Sequence, residues 1–346
     1  MQFQQGKPPV GVVFDSAMGS SIDDALALAL LFGLQGKNEC RVISVSVTKC
    51  NLRAAAFADA LVRFYTGPPG PFGGPPMAIG MSTAGLMPED TPMLTVPLAR
   101  QDPEGKPLYA RGIAKLNETA DTSALIRNAF TAQFDDNALV VLTGPATNLA
   151  KVLDLPGTKE LIAKKVRLLT VDAGDFAGGP ADPHIKADVA SARRLFAEWP
   201  TPIVAAGAEV GVALPFPCAS LEKEFSWSPN HPVVDAYRAY HPLPFDSPSG
   251  AMVAGLYAVR PDTGYFRLSE AGTIQVLDDG QTRFQPSASG KHRYLIANLE
   301  QKDKILQAYI ELASTKPVPR APRFRGAQKK QADEKKDEKK DDKKQE

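Results

Sequence analysis

Apolar runs alternate with polar turns along most of the chain. Residues 10–14 form an apolar, β-branched run of the length of a buried strand, and residues 22–31 combine high apolar density with good helix formers. Similar strand and helix patterns follow, with short Gly and Pro turns between them. This alternation predicts an α/β protein with one large domain.

An acidic turn joins the first predicted strand to the first predicted helix. Residues 15–24 read DSAMGSSIDD and carry Asp15, Asp23 and Asp24. In an open α/β sheet, ligands bind in the loops after the carboxyl ends of the strands, so these carboxylates are expected to face a pocket. Ser21 followed by Asp24 is also similar to a capping box, and the helix dipole favours acids in a first turn. Capping accounts for one or two of the acids but not for the whole pattern.

The acidic turn resembles the N-terminal signature of the inosine-uridine-type nucleoside hydrolases, which reads Asp-Thr-Asp-x-Gly-(Asn-Asp)-x-Asp-Asp-Ala-Leu-Ala-Leu. The matching positions are Asp15, Gly19, Asp23, Asp24 and the ALAL tail at residues 25–28. Two positions depart from the signature: Ala17 replaces the second Asp, and Ser20-Ser21 replaces Asn-Asp.

Three further segments match that family in the same order, so the resemblance covers roughly residues 9–300. Residues 140–150, VVLTGPATNLA, are similar to its strand and Thr-Gly-Pro-Leu-Thr-Asn-Leu-Ala turn. Residues 182–184 are similar to its sugar-binding Glu-Phe-Asn, with Asp182 for Glu and His184 for Asn. Residues 255–266 are similar to the segment after its Ser-Trp-Asp, which places Gly250 on the Trp and Ala251 on the Asp.

The resemblance implies a fold and a reaction. The fold is a Rossmann-like, mostly parallel open sheet with helices on both faces, the nucleoside hydrolase fold. The reaction is hydrolysis of the N-glycosidic bond of a ribonucleoside to ribose and base, with Ca²⁺ as cofactor. Calcium takes about 6–8 oxygen ligands and lowers the pKa of a bound water, which an adjacent carboxylate deprotonates. The ligand is a small nucleoside-like molecule, and the family commonly forms homo-oligomers.

Carried over residue by residue, the pattern assigns two groups of positions. The metal ligands are Asp15, Asp24 and the backbone carbonyl of Thr143, while Ala17 falls on the general-base position and Ala251 on the closing carboxylate. The sugar contacts are Asp23, Asn51, Asp182 and His184.

These departures lead to three functional hypotheses. A methyl group coordinates nothing, so the first is a hydrolase-like protein with a broken calcium and general-base site and a weak or non-catalytic ligand-binding role. The second is an active N-ribohydrolase, or a hydrolase of a related glycosidic bond, whose rewired metal site uses Asp246, five residues before Ala251. Against it, a lone Asp in a Pro-flanked loop usually caps a turn. The third hypothesis is a structural role carried by oligomer surfaces.

Composition narrows the class of protein. Lys and Arg total 40 against 39 Asp and Glu, for a net charge of +1. This balance argues against a protein with a broadly basic surface that binds nucleic acid. The three cysteines, Cys40, Cys50 and Cys218, lack metal-site spacing; reduced, buried thiols are the simplest expectation, with one disulfide as the alternative. No apolar signal-peptide core or membrane-spanning stretch occurs, so we expect a cytoplasmic protein.

The sequence predicts three regions. Residues 1–8 form an N-terminal extension, and residues 9–315 form the α/β domain, in which the Gly- and Pro-rich residues 67–76 are a loop. Residues 316–346 form a Pro-rich linker and a tail of Lys, Asp and Glu, which is expected to be disordered because it has little apolar surface to bury.

Overall fold

The structure is a computed structural model that describes residues 8–67 and 77–317. Most of the predicted N-terminal extension, the Gly- and Pro-rich loop and the charged tail therefore lie outside the described residues. Within the described residues, no helix is both long enough and apolar enough to cross a membrane. Cys40, Cys50 and Cys218 are free thiols. Cys40 is buried, but Cys50 and Cys218 are only half-buried, so the expectation of buried thiols was wrong for these two.

Eleven strands in the described residues form one mixed sheet. They are β1 Val10–Ser16, β2 Cys40–Val47, β3 Ile79–Met81, β4 Ala120–Asp121, β5 Ala138–Thr143, β6 Val166–Asp172, β7 Ile203–Ala206, β8 Phe266–Leu268, β9 Gly272–Val276, β10 Thr282–Pro286 and β11 His292–Ala297. The strand order is β10-β9-β11-β7-β6-β5-β1-β2-β3-β4, and β8 pairs with β11. Pairing is parallel from β4 through β1 to β11, whereas β8, β9 and β10 add antiparallel contacts.

The described helices connect these strands. They are α1 Ile22–Gly36, α2 Leu52–Thr66, α3 Pro92–Ala99, α4 Thr122–Thr131, α5 Thr147–Val152, α6 Thr158–Lys165, α7 Pro183–Ala187, α8 Val189–Glu198, α9 Ala208–Ala213, α10 Ser220–Glu224, α11 Pro232–Tyr240, α12 Gly250–Val259 and α13 Lys302–Ala313. Short 3-10 turns lie at Leu116–Glu118, Pro261–Thr263 and Leu299–Gln301.

Two apolar cores lie on opposite faces of the sheet. Val12 and Phe14 of β1 point into one core with α1, α2, α12 and α13, and Val13 points into the other with α4, α5, α6 and α8. Side chains that alternate along a strand face opposite sides of the sheet, so a strand covered on both sides is apolar throughout. The prediction of a mostly parallel open sheet with helices on both faces is confirmed.

Helix α1 lies at the centre of the first core, where it contacts both α12 and α13. Its residues 22–34 are all buried, which matches the high apolar density of that segment. Gly33 allows α13 to approach closely, since a Cβ at this position would lie 2.1 Å from the carbonyl oxygen of Leu312. This packing fixes the N-terminus of α1, with its two acids, beneath the edge of the sheet.

Candidate functional site

The carboxyl ends of β1, β2 and β5 frame the acidic turn. Ser16, the last residue of β1, is in register with Val47 on one side and Thr143 on the other. The Ala17 amide donates to the Thr143 carbonyl at 3.1 Å, and the Thr48 amide donates to the Ser16 carbonyl at 2.8 Å. The carbonyl predicted to bind a metal therefore already accepts a backbone hydrogen bond.

Asp24 lies beneath this frame and is buried. Its Oδ1 accepts hydrogen bonds from the hydroxyls of Ser16 at 2.8 Å and Thr143 at 2.6 Å, whereas its Oδ2 has no hydrogen-bond partner. Burial, followed by the charge of Asp23, raises the pKa of Asp24 to about 7. An unpartnered buried carboxylate oxygen is costly unless a proton, a cation or a ligand satisfies it.

Asp15 is fully buried one residue before the end of β1. Its Oδ1 accepts from the Ser46 hydroxyl at 2.6 Å and from the Asn148 amide at 2.9 Å, and its Oδ2 also lacks a partner. Burial raises the pKa of Asp15 to about 6 despite these two hydrogen bonds. Asp15 and Asp24 thus share one arrangement, with one oxygen held by the fold and the other left unsatisfied.

Asp23 connects the two halves of the chain. Its Oδ2 accepts a hydrogen bond of 2.9 Å from the backbone amide of Ala251, in the first turn of α12. A helix N-terminus presents free amides and favours a negative charge. Burial nevertheless raises the pKa of Asp23. The Ser21 side chain makes no cap hydrogen bond to the α1 backbone, so the capping-box alternative does not account for these acids.

Asp172 belongs to the same cluster, and the sequence assigned it no role. It ends β6, and burial, followed by the charges of Asp23, Asp182 and Asp24, raises its pKa well above the usual value. The signal that could have identified it is its position, because it follows an apolar central strand at the same edge of the sheet as the acidic turn.

The predicted sugar loop lies beside Asp172. The Nδ1 of His184 is 3.2 Å from the carbonyl oxygen of Asp172, and the charge of His184 lowers the pKa of Asp23 and Asp24 against the dominant effect of burial. Asp182 caps α7, since its Oδ1 accepts from the amides of His184 at 2.8 Å and Ile185 at 3.1 Å. The structure therefore brings together Asp23, Asp24, Asp172, Asp182 and His184.

Asn51 is buried, and each polar atom of its side chain already has a partner. Its Oδ1 caps α2 by accepting from the Ala54 amide at 3.0 Å. Its Nδ2 donates to the Pro88 carbonyl and to Oδ1 of Asp90, both at 2.9 Å. The hydrogen bonds of this predicted sugar contact are thus used within the fold.

The three positions that could complete a metal site, 17, 251 and 246, bring no carboxylate next to Asp15 and Asp24 in the structure. The side chains of Ala17 and Ala251 are fully buried methyl groups. Asp246 is exposed, and its Oδ1 accepts from the Cys218 amide at 2.8 Å, which accords with a turn-capping role. Across residues 8–67 and 77–317, no three His, Cys, Asp or Glu side chains are arranged to hold a metal ion.

Lys49 is a second site residue that the sequence did not indicate. It lies two residues beyond β2, in a polar segment typical of a surface turn, yet it is only 2% exposed. Its Nζ donates to the hydroxyl of Ser20, in the acidic turn, at 3.4 Å. A buried lysine thus lies next to the acidic turn.

Solved structures with a similar fold include nucleoside hydrolases. A plant nucleoside hydrolase, the PpNRh1 enzyme, superposes with a TM-score of 0.64 at 19% identity over 89% of this chain and 100% of its own. The chain has the nucleoside hydrolase fold. The purine-preferring ribonucleoside hydrolase from Gardnerella vaginalis gives a TM-score of 0.62 at 16% identity over 88% of this chain and 99% of its own.

A third neighbour with this fold is the type III effector protein XopQ, solved in complex with adenosine diphosphate ribose. Its TM-score is 0.63 at 12% identity, covering 90% of this chain and 95% of its own. No protein-family model and no curated protein matches the sequence. At these identities the similarity establishes the fold, and the predicted fold family is thereby confirmed.

Proposed function

We propose that this protein binds a nucleoside or a related ribose-containing molecule at the β1–α1 turn and does not catalyse calcium-dependent hydrolysis of it. The fold is that of nucleoside hydrolases, which supports hydrolysis of an N-glycosidic bond as the ancestral reaction of this site. The observation that carries the proposal is that fully buried methyl groups occupy positions 17 and 251, where the resemblance places the general base and a metal ligand.

The residues at this turn do not fit a calcium ion. Calcium takes about 6–8 oxygen ligands and is held most strongly by several carboxylates. Asp24 offers one unpartnered oxygen, Asp15 offers another, and the Thr143 carbonyl, which already accepts from the Ala17 amide, has one lone pair left. These three groups thus provide at most three oxygens without a competing partner. The ammonium of Lys49 adds a like charge that opposes a divalent cation.

Ligand binding is supported by the remaining carboxylates. Asp23, Asp24 and Asp172 are acceptors suited to ribose hydroxyls, and His184 supplies a ring nitrogen beside them. Hydrolysis also requires an oriented, deprotonated water, and loss of a general base typically costs about 10²- to 10⁴-fold in rate. With Ala at position 17, this chain can bind the sugar without activating water against it.

The test uses the full-length protein after treatment with a chelator. Binding of inosine, adenosine, uridine, cytidine and adenosine diphosphate ribose is measured by titration calorimetry, and ribose release by a reducing-sugar assay, each with and without calcium chloride. We expect binding of at least one of these molecules, negligible ribose release, and no tight calcium binding.

Two variants make the test specific. Asp23→Asn should weaken ligand binding because Asp23 lies in the carboxylate cluster, whereas Asp246→Asn should leave it unchanged. Calcium-dependent turnover of about 1 to 10³ per second would contradict the proposal. Loss of that turnover in Asp246→Ala would support the second hypothesis, in which Asp246 is a metal ligand. Binding of none of the five molecules would contradict it as well. Homo-oligomerisation stays a prediction, to be measured by light scattering of the purified chain.

A further inference from the structure

The side chain of Lys49 is buried without a carboxylate partner in direct contact. It is 2% exposed, and the hydroxyl of Ser20, at 3.4 Å from Nζ, is a long and neutral acceptor. Across the described residues, Lys49 takes part in none of the direct ion pairs of 4.0 Å or less. Burying a cation without compensation costs several kcal/mol, so its surroundings must supply negative charge at somewhat longer range.

The carboxylates that supply this charge lie around the acidic turn. Burial lowers the pKa of Lys49, and Glu89, Asp24 and Asp90 act in the opposite direction through their charges. Asp90 also interacts with Arg53 and Asn51, and Glu89 and Asp90 both lie outside the buried core. Asp24 is the one of the three that is buried, and its Oδ2 lacks a hydrogen-bond partner.

Lys49 and Asp24 hold the two ends of the same turn. Ser16 donates its hydroxyl to Asp24 at 2.8 Å, and Ser20 accepts from Lys49 at 3.4 Å. Between these serines the chain is locked by the amide of Ala17 on the Thr143 carbonyl and by the Thr91 hydroxyl on the Gly19 carbonyl at 2.7 Å. The buried ammonium of Lys49 and the buried carboxylate of Asp24 therefore contact the same short segment, residues 16–20. Among the described residues, the ammonium has no direct ion pair, and Oδ2 of the carboxylate has no hydrogen bond.

We propose that the ammonium of Lys49 is the resident cation of the acidic turn and takes the place of a metal ion there. The resemblance expects carboxylates at positions 17 and 251, and this chain has Ala at both. A site with two fewer negative charges is suited to a monovalent cation. The inference rests on the proposed function only in locating the site at the β1–α1 turn. It makes Lys49 a positioning residue, which holds the acidic turn in place for a ligand through its hydrogen bond to Ser20.

The decisive test is chemical rescue of Lys49→Ala, measured by thermal unfolding of the chelator-treated full chain at constant ionic strength. This variant removes the charge and leaves space for an alkylamine. We expect its Tm to fall by about 2 °C or more. n-Butylammonium chloride should restore most of the loss, whereas n-butanol, which fills the same space without a charge, should not.

Lys165→Ala is the matched control, because Lys165 is also a largely buried lysine and pairs with Asp135 at 2.9 Å outside the site. Its Tm should not respond to the amine. Lys49→Arg should retain a Tm within about 2 °C of the wild type. Equal rescue by butanol and butylammonium, or equal response of the Lys165 variant, would overturn the proposal, as would stabilisation of the wild type by micromolar calcium.

A double variant covers the case in which Lys49→Ala does not fold. If Lys49 compensates Asp24, then Asp24→Asn should stabilise the Lys49→Met variant by more than it stabilises the wild type, a difference that the double-mutant cycle measures. An equal effect of Asp24→Asn in the two backgrounds overturns the proposal. None of these measurements uses a nucleoside, so failure of nucleoside binding would contradict the proposed function and leave this result standing.

Discussion

The carboxylate of Asp172 occupies the space that a side chain at position 250 would need, since a Cβ on Gly250 would lie 2.1 Å from its Oδ1. Gly250 is the first residue of α12, and the resemblance places a Trp at this position. The acid at the end of β6 therefore requires a residue without a side chain at the start of α12. Gly250 meets this requirement because it has no Cβ.

Gly250→Ala should destabilise the protein by about 1–3 kcal/mol, the usual cost of overpacking a filled interior. In an Asp172→Ala background, the same substitution should cost little because the carboxylate is gone. Urea unfolding of the two single variants and the double variant measures this coupling. A cost that is equal in both backgrounds would show that Gly250 is needed for another reason.

Asp15→Asn should stabilise the protein at neutral pH. Burial raises the pKa of Asp15 to about 6 in the folded state, so the folded protein binds more protons than the unfolded chain between about pH 4 and 6 and loses stability as the pH rises. The gain from the variant should be near zero at pH 4 and reach about 1–3 kcal/mol above pH 6, at about 1.4 kcal/mol per pKa unit. Urea unfolding from pH 4 to 8 measures it, with the exposed Asp262→Asn as control. A gain independent of pH would contradict the assignment.

His231 should make the protein less stable in acid. It is buried against Phe64, Phe225 and Trp227, and its Nδ1 accepts from the Val233 amide at 3.3 Å. Burial lowers its pKa to about 3, so below about pH 6.5 the unfolded chain takes up a proton that the folded protein does not. The stability that neutral His231 provides is therefore lost as the pH falls from about 6.5 towards 3.

His231→Asn should reduce this acid dependence while preserving an acceptor at the start of α11. The variant will have a lower overall stability because the aromatic contacts are lost. The slope of unfolding free energy against pH between 4 and 6.5 is the relevant measurement. His241→Asn, at an exposed position, serves as the control and should leave the slope unchanged. The same slope in wild type and His231→Asn would count against this role.

Restoring Ala17→Asp together with Ala251→Asp should create calcium binding before it creates activity. Both positions are fully buried, so the added charges should cost several kcal/mol in the absence of a cation. Calcium should recover that loss in a thermal-shift measurement, and each single variant should respond less. Ribose release should remain low because the sugar loop still carries Asp182 and His184 in place of the Glu and Asn of the resemblance, which leaves the ribose poorly positioned for attack. A folded double variant without any response to calcium would mean that Ala251 does not correspond to the ligand position.

Asp182 should contribute to stability through its cap on α7. Asp182→Ala should cost about 0.5–2 kcal/mol, whereas Asp182→Asn preserves the acceptor and should cost a few tenths. If Asp182 also contacts a ligand through its charge, Asp182→Asn will lower affinity without lowering stability. Urea unfolding and calorimetry on the same samples separate the two roles.

The sequence predicted the fold and part of this cluster for a physical reason. Buried parallel strands are apolar throughout, and acids at their carboxyl ends converge on one edge of the sheet. Asp15, Asp23 and Asp24 could therefore be placed there from the strand and helix pattern alone. The capping role of Asn51 was also accessible, because Asn directly before a helical pattern is a common cap.

Asp172 and Lys49 escaped prediction because their role depends on tertiary packing. Asp172 interacts with acids roughly 150 residues earlier in the chain, and its space depends on Gly250. Lys49 lies in a polar segment that is typical of an exposed turn, and its burial arises from contacts with segments distant in sequence. The Thr143 hydroxyl on Asp24 was missed for a similar reason, since the register of β1 and β5 determines it.

The hydrogen bond from the Ala251 amide to Asp23 joins residues 228 positions apart, and α12 packs on both α1 and the sheet. During synthesis on a ribosome, the acidic turn emerges long before α12 exists. Until then Asp23 and Asp24 remain hydrated and α1 lacks one of its covering helices. The carboxylate cluster is consequently among the last parts of the molecule to mature, and a chain interrupted before residue 250 has an incomplete first core and no closed site.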